Sequence, residues 1–374
     1  MSCPAPARSK LKTAKIVASL REMAQKAGPN AKLPTARQLS CDFQVSTSTI
    51  NDALKELERQ NILKSRQGSG IYVSPNIHQK SIALVFGDNI FDVTASPFYS
   101  LLLRQCKNRA LSHGESFSLF MDLPDLDRET ELPVHSDIAV AVQSGRIHGV
   151  LLASRSSESQ EEWLRSQGLP TVALGFYPSS GEMVILDYDA MIDLGVEALV
   201  KQGCRRIGLI SPFDTSKGRF PWKRDVVRFG AAMQKHGLVT KPDWIVKLGD
   251  GHAEYRSSKE FGTRAFRSLY ADKSETPDGL LLLDDMVTLG VLAAAHEQKI
   301  AVGLDIKMAT HANKGSTVLE NNTDRLTLLE FEPTEIAQTM LELLERLMAG
   351  RHGPESNIWI KPRVREIRSA AALE

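Results

Sequence analysis

Two short stretches of the sequence carry side chains of kinds that bind ligands. Residues 45–51, VSTSTIN, contain four hydroxyl side chains and an asparagine, which both donate and accept hydrogen bonds. Asp284 and Asp285 directly follow the apolar run LLLL, and one carboxylate accepts hydrogen bonds from two hydroxyl groups. These stretches predict two polar sites that are far apart in the chain.

The hydroxyl-rich stretch consists of poor helix formers, although the residues after it, DALKELERQNIL, have a helical pattern. Ser46 is a suitable N-cap, because its hydroxyl accepts from the free N–H groups of the first turn. Ile50 and Leu54 then face inward. The outward side chains of these first turns are those of Thr47, Ser48, Thr49 and Asn51.

The elements around this helix predict a winged helix-turn-helix. A first helix is expected from Leu11 to Lys26 and a second after an N-cap at Thr35, followed by a third from about Ser46 to Gln60. ILKSRQGSGIYV then reads as a hairpin. In this fold the start of the recognition helix reaches base edges and phosphates, so Ser46, Thr47, Ser48, Thr49 and Asn51 are predicted DNA contacts.

Further DNA contacts are predicted outside the third helix. Arg37 lies in the second helix, and Lys64 and Arg66 lie in the hairpin. Gly68 and Gly70 allow the hairpin tip to approach a phosphate or the minor groove; the alternative is that they serve only the turn. Because one recognition helix reads a half-site, we expect a homodimer on palindromic double-stranded DNA.

Charge supports this division of the chain. Residues 1–80 contain 13 Lys and Arg residues against 5 Asp and Glu residues, a formal charge of +8. The whole chain carries +1, so the remainder carries −7. A basic module on an acidic body indicates that only the module meets a polyanion.

After residue 80, short apolar strands alternate with helices, a pattern typical of parallel sheets in a doubly wound α/β body. The length of this part predicts two lobes. We expect a DNA-binding domain at 1–74, a linker at 75–80 and a ligand-binding body at 81–374. Lobe 1 is expected at about 81–180 and 309–330, and lobe 2 at about 181–308 and 331–374.

Other classes of protein find little support. The sequence contains no GxGxxG after a strand, P-loop, HExxH or GxSxG motif, so we expect no catalytic residue and no cofactor. Its four cysteines are far apart and its histidines are scattered, which argues against a metal site. Without a leader-like N-terminus or a long apolar run, a cytoplasmic protein with no membrane contact is expected.

Residues 33–73 resemble the winged-helix domain of the GntR family of bacterial transcription regulators. The matching landmarks are its Leu-Pro, Val-Ser, Ala-Leu-x-x-Leu and Gly-x-Gly-x-x-Val motifs, in a segment that extends over residues 11–73. That family commonly has arginines where this chain has Thr47 and Asn51, although Arg37 matches. The resemblance implies a GntR-type fold with an altered operator preference.

Residues from 81 onward resemble the effector domain of the LacI family, which is similar to periplasmic sugar-binding proteins. The match is carried by VILDYDAMIDLGVEALVKQGCRRIGLIS (184–211), PDGLLLLDDMVTLGVLAAAHEQKI (277–300) and LTLLEFEPTEIAQTMLELLERLMAG (326–350). The resemblance implies two lobes that close on a small ligand, a sugar or related polyol, at the C-terminal ends of their strands.

The resemblance and the strand ends together predict the residues of this cleft. By family position Asp285 accepts hydrogen bonds from ligand hydroxyls. The alternative for either aspartate, Asp284 or Asp285, is that it caps the next helix. Arg224 lies near the family's sugar-binding arginine, but strict spacing places Asp225 there. Phe220 and Trp222 are predicted to stack on a sugar, with a lobe or dimer contact as the alternative. Phe98 and Tyr99 are expected to form a wall of the cleft, and Ser154 and Asp250 are further polar candidates at strand ends.

Together these features predict a ligand-responsive transcription regulator, a repressor that a sugar-like effector releases from its operator. An activator with the same architecture remains an alternative. A sugar-acting enzyme would need a positioned acid and base, which two adjacent aspartates at a strand end do not readily form. A transport-type binding protein would share the body but would have no use for a basic helix-turn-helix.

Overall fold

The computed structural model describes residues 7–87, 98–122, 133–153, 158–178, 180–212, 224–248, 257–271, 275–351, 353 and 357–365. An N-terminal domain of helices and a small sheet is followed by a body with two six-stranded sheets. The predicted fold class, a winged helix-turn-helix followed by a two-lobed α/β body, is therefore confirmed.

The N-terminal domain contains the three predicted helices and the predicted hairpin. Its elements are α1 (Ala7–Ala27), β1 (Lys32–Leu33), α2 (Ala36–Asp42), α3 (Thr47–Arg59), β2 (Leu63–Arg66) and β3 (Gly70–Val73). Strands β2 and β3 pair antiparallel, and β1 pairs with the other edge of β3. The sequence did not predict β1, because two residues are too few for a periodic pattern.

Both helices of the helix-turn-helix begin at the predicted caps. The Gln38 backbone N–H donates to Thr35 Oγ1 at 3.3 Å, and the Thr35 N–H donates to Gln38 Oε1 at 2.8 Å, which completes a capping box. The Thr49 N–H donates to Ser46 Oγ at 3.2 Å. Such caps stabilise a helix by about 1 kcal/mol each.

One apolar face of α3 holds it to the rest of the domain. Ile50 and Leu57 on this face, Leu20 on α1 and Leu39 on α2 are fully buried. Each such side chain contributes about 1.5–3 kcal/mol. Because this face is occupied by the core, the opposite face at the start of α3 is directed to solvent.

The body alternates strands and helices, as predicted. In chain order its elements are β4 (Ser81–Gly87), α4 (Phe98–His113), β5 (Ser116–Asp122), α5 (Ser136–Gln143), β6 (Gly149–Leu152), α6 (Glu158–Ser166), β7 (Thr171–Gly175), β8 (Glu182–Leu186), α7 (Tyr188–Lys201), β9 (Ile207–Ser211), α8 (Arg224–Lys235), β10 (Ile245–Lys247), α9 (Ser258–Leu269), β11 (Gly279–Leu282), α10 (Asp285–Glu297), β12 (Lys307–Asn313), β13 (Thr327–Phe331), α11 (Pro333–Met348), β14 (Asn357–Ile360) and β15 (Arg363–Arg365). None of the helices in the described ranges is long and apolar enough to cross a membrane.

Each sheet forms the centre of one lobe. The first has the strand order β14-β8-β7-β6-β4-β5, and the second has the order β10-β9-β11-β12-β13-β15. The described strand pairs are parallel except for β13 with β15 at one edge. Parallel strands covered on both faces need apolar residues at nearly every position, which explains runs such as the fully buried β9 and β11.

The sheets divide the chain differently from the predicted lobes. Strand β8, expected in lobe 2, belongs to the first sheet, and β12 and β13, expected mainly in lobe 1, belong to the second. Helix α11 packs on α4, β6, β7 and β8 of the first lobe, and β14 pairs with β8, although both were expected in lobe 2. The apolar pattern of α11 predicted burial correctly but does not identify which sheet the helix covers.

The N-terminal domain contacts the first lobe. Arg21 of α1 donates to Gln60 at the end of α3. A Cβ built on Gly145, just after α5, would lie 3.3 Å from Arg21 Nη2. Residues 75–80, predicted as a linker, begin with a turn in which Ile77 packs on the N-terminal core. The Cβ built on Gly145 would also lie 4.0 Å from the side chain of Gln60, the C-cap of α3, so this end of the recognition helix faces the lobe.

Candidate nucleic-acid interface and ligand cleft

The start of α3 presents a polar exposed surface. Ser46, Thr47, Ser48 and Asn51 are exposed, and Thr49 is half-buried. In the described part of the chain the side chains of Ser48 and Asn51 make no hydrogen bond. They are therefore available to base edges without loss of an internal contact.

The other hydroxyls of this stretch have structural partners. Ser46 Oγ lies 2.8 Å from Thr49 Oγ1 as well as capping α3. Thr47 Oγ1 donates to Ser40 Oγ on α2 at 3.5 Å, which links the two helices. Ser46 is primarily a cap, so the side chains best placed for sequence reading are those of Thr47, Ser48 and Asn51.

The outer face of the wing is basic. Leu63, Ile71 and Val73 face the core, so the alternate residues of the strands face outward. There Lys32 and Lys64 both lie opposite Tyr72 in register. The guanidinium of Arg66 lies 5.0 Å from the centre of the Tyr72 ring, and Lys32 Nζ lies 5.8 Å from it.

Sequence reasoning found Lys64 and Arg66 but missed Lys32 and Tyr72. Their role depends on β1 pairing with β3, which only the folded domain shows. Arg37, on α2, is exposed and has no ion pair among the described residues. The three predicted cations Arg37, Lys64 and Arg66 are therefore all at the surface.

We expect Gly70→Ala to weaken DNA binding and lower the unfolding temperature more than Gly68→Ala does. Gly70 has φ +122°, and an added Cβ would lie 2.8 Å from the Lys32 side chain. Gly68 has φ +73° with open space around it, so both variants carry backbone strain of about 1–3 kcal/mol but only Gly70→Ala also displaces Lys32. Thermal melts and DNA titrations of the two variants test this. Equal effects would show that the glycines serve only the turn.

In the body, the two adjacent aspartates have different environments. Asp284 is the N-cap of α10, because its Oδ1 accepts from the Val287 N–H at 2.7 Å. Asp285 is 1% exposed, and neither of its carboxylate oxygens has a hydrogen-bond partner among the described residues. An unsatisfied buried polar group costs about 1–3 kcal/mol, and more when charged.

The same burial changes the acidity of these groups. It raises the pKa of Asp284 to about 6, assisted by the charge of Asp285 and opposed by the Val287 N–H. It also raises the pKa of Asp285 to about 6, opposed by the Asn313 amide, which lies near the carboxylate but outside the geometry of a hydrogen bond. Both carboxyl groups therefore bind donors best when the pH is above this range.

His311 and Tyr188 lie beside the aspartates. His311, on β12, is 7% exposed, and its Nδ1 has no hydrogen-bond partner in the described ranges. The His311 ring stacks on Tyr188 at 5.9 Å between centres. Tyr188 donates to the Leu283 carbonyl at 3.5 Å. Burial lowers the pKa of His311 to about 4, so this side chain is neutral at pH 7.

The structure separates the roles of Arg224 and Asp225. Arg224 pairs with Asp189 of α7, with Nη2 2.6 Å from Oδ2. Asp225 accepts from Tyr177 Oη of the first lobe at 2.6 Å and from Ser211 Oγ of the second lobe at 3.0 Å. Asp225, the residue at strict family spacing, therefore lies between the lobes, while Arg224 is bound to another carboxylate.

The remaining predicted cleft residues divide into two groups. Phe98 is buried in the core, whereas Tyr99 is half-buried and contacts the Phe86 ring edge-to-face at 5.8 Å. Tyr99 is thus the better placed of the two for a wall. The other four, Ser154, Phe220, Trp222 and Asp250, lie outside the described residues.

Sequence reasoning missed Tyr177, Tyr188, His311 and Asn313. A scattered histidine or a tyrosine at a helix start carries no distinguishing pattern. These residues meet the aspartates only when strands β11 and β12 pair and α7 packs on them. The described residues contain no group of three or more His, Cys, Asp or Glu side chains that could hold a metal ion.

Comparisons with known protein families match both parts of the chain. Residues 12–73 match the family described as bacterial regulatory proteins, gntR family. Residues 196–369 match the periplasmic binding protein-like domain.

Named relatives are similar at low identity. An arabinose metabolism transcriptional repressor of Geobacillus stearothermophilus is 23% identical over 86% of this chain and 86% of its own. One with the same name from Halalkalibacterium halodurans is 21% identical over 73% of this chain and 72% of its own.

Solved structures share the fold of the body. A regulatory protein of the LacI family from Chloroflexus aggregans is 19% identical with a TM-score of 0.63, covering 76% of this chain and 96% of that one. The transcriptional regulator CelR in complex with cellobiose is 19% identical with a TM-score of 0.62, covering 86% of this chain and 91% of that one.

Proposed function

The chain joins a domain of the bacterial gntR regulatory family to a periplasmic binding protein-like domain, and we propose that it is a transcription repressor released from its operator by a small sugar-like effector. The observation that carries this proposal is Asp285. It is a buried carboxylate with two unsatisfied oxygens, in the same chain as a helix that presents free polar side chains.

The class of effector follows from the cleft and from the relatives. Asp285 requires hydrogen-bond donors, which a polyol supplies through adjacent hydroxyls. Relatives are named as arabinose metabolism repressors, and a structure with the same fold was solved with cellobiose. Both facts support a sugar or related polyol.

Coupling between the sites follows from the connections of the body. A ligand bound beside Asp225 would contact both lobes, because Tyr177 of the first lobe donates to Asp225 of the second at 2.6 Å. The first lobe also contacts the N-terminal domain through Gly145 and Arg21. A ligand that binds one lobe arrangement more tightly shifts the population of that arrangement. In a homodimer this shift changes the spacing of the two recognition helices.

Because operator DNA is its partner, we place the protein in the cytoplasm.

The test is a mobility shift with DNA selected by the full-length protein from random sequence. We expect log affinity to fall steeply with log salt, by about 0.9 for each phosphate contacted. L-Arabinose, cellobiose and other sugars are then added to the complex. Release by at least one of them supports the proposal, and tighter binding would instead favour an activator. A flat salt slope, or no response to any small molecule, contradicts it.

A further inference from the structure

The described part of the cleft contains more negative charge than it neutralises. Burial, together with the neighbouring charges of Asp284, Asp285 and Asp225, raises the pKa of Tyr188. Geometry agrees for two of them, because Tyr188 Oη donates at 3.5 Å to the carbonyl of Leu283, which directly precedes Asp284 and Asp285. Asp225 accepts two hydrogen bonds from neutral partners and Asp284 accepts one from a backbone N–H, none of which supplies a positive charge.

The described cations do not neutralise Asp284 and Asp285, although the charge of Arg224 opposes the rise that burial causes in the pKa of its neighbour Asp225. Arg224 makes a two-nitrogen contact with Asp189, at 2.6 Å through Nη2 and 3.2 Å through Nε. Within the described ranges no lysine or arginine forms an ion pair with Asp284 or Asp285. His311, whose charge would act on Asp284, is neutral at pH 7.

A buried charge without a partner is costly, because its lost hydration is not replaced. Asp285 is such a charge: at 1% exposure neither oxygen makes a hydrogen bond of good geometry in the described ranges, and the donors near it, the Asn313 amide and the Met286 N–H, carry no positive charge. A second unsatisfied group, His311 Nδ1, lies on the neighbouring strand at 7% exposure and interacts electrostatically with Asp284. Ligand hydroxyls would satisfy the hydrogen bonds of Asp285 but not its charge. An ammonium group satisfies both, with three donors and one positive charge.

We propose that the effector carries a positively charged amino group, which binds the carboxylate of Asp285 beside Asp284. This inference rests on the proposed function and deepens it, because it specifies an amino derivative of a sugar or polyol. It also excludes anionic derivatives. A phosphate or carboxylate group would place a further negative charge beside Asp285 and would bring acceptors where donors are required.

Calorimetric titration of the full-length protein at pH 7 with matched sets of sugars tests the proposal. One set is D-glucosamine, D-glucose and D-glucuronic acid; another is D-galactosamine, D-galactose and D-galacturonic acid; a third is 4-amino-4-deoxy-L-arabinose and L-arabinose. We expect the amine to bind at least 10-fold more tightly than its neutral counterpart in at least one set, and the acids not to bind.

Two variants separate this effect from a change in folding. Asp285→Asn removes the charge with little change of shape, and should reduce the preference for the amine to less than about 2-fold. Asp243→Asn, at an exposed position in the same lobe, should leave the preference unchanged. Circular dichroism of both variants verifies that they are folded.

Two results would overturn the inference. One is that neutral sugars bind as tightly as their amines, and the other is that no member of any set binds. The proposed function would survive either result if another small molecule released the DNA, so the two proposals fail separately.

Discussion

Replacing Thr47, Ser48 and Asn51 together with alanine lowers affinity for the selected operator about 100-fold and leaves affinity for unrelated DNA nearly unchanged. Each side chain lies at the exposed start of α3, where base-edge contacts are made. Three lost contacts of about 1 kcal/mol each account for this factor. Titration of operator and scrambled DNA at the same salt concentration measures the ratio of the two affinities.

This variant also provides its own test of folding. Alanine has a higher helix propensity than threonine, serine or asparagine by up to about 0.7 kcal/mol per residue. This gain offsets the loss of the long, exposed hydrogen bond from Thr47 to Ser40. The unfolding temperature should therefore stay close to that of the wild type, so that lost binding is not due to an unfolded domain. Ser46 is left unchanged because its hydroxyl caps α3. Ser19→Ala with Gln25→Ala, at exposed positions of α1, is the matched control and should bind normally.

Arg37→Ala should behave differently from the triple variant. The Arg37 side chain is exposed and unpaired in the described part of the chain, as expected for a phosphate contact. Its loss should weaken binding to all sequences and reduce the salt slope by about 1.

If the triple variant kept its ratio of operator to scrambled affinity, the assignment of α3 as the reading helix would be wrong.

Asp285→Asn should make the ligand-free protein more stable and abolish its response to effector. The native carboxylate is buried with both oxygens unsatisfied, so removal of its charge gains about 1–3 kcal/mol at pH 7. For a unit of 150–250 residues this corresponds to about 2–4 °C per kcal/mol. Affinity for the releasing sugar should fall about 100-fold, because a charge-assisted hydrogen bond is worth about 1.5–3 kcal/mol.

The gain in stability should depend on pH with a defined sign. The pKa of Asp285 is raised by burial from 3.8 to about 6, so the folded state holds a proton that the unfolded chain has already lost. Ionisation therefore destabilises the wild type progressively between about pH 4 and pH 6. The variant and the wild type should melt alike below pH 4 and differ most above pH 6. Asp284→Asn serves as the comparison for Asp285→Asn. It removes the neighbouring charge at a residue whose Oδ1 also accepts the capping hydrogen bond of α10. A wild type that is more stable than Asp285→Asn at pH 7 would contradict an unsatisfied Asp285.

Local patterns were sufficient to predict several elements of the fold. The caps Thr35 and Ser46, the buried face of α3 and the apolar strands of the body all depend on neighbouring residues, and each was confirmed. The lobe bounds depended instead on which sheet each segment joins. An amphipathic helix such as α11 has the same pattern on either lobe, so its place was predicted wrongly.

By itself, the sequence determined the modules of this protein and the types of side chain they expose. A period of 3.6 or 2 and a capping serine are properties of a few consecutive residues, so the helix-turn-helix was predicted without the structure. Asp285 was predicted from its place at a strand end and from the family resemblance. Only the tertiary structure decided which polar groups share an environment. It brings Tyr177, Tyr188 and His311 to the aspartates from distant parts of the chain, and it directs Arg224 to Asp189 while Asp225 lies between the lobes. Burial and pairing arise from contacts between elements that are remote in sequence, and these determine which carboxylates are paired within the protein and which are not.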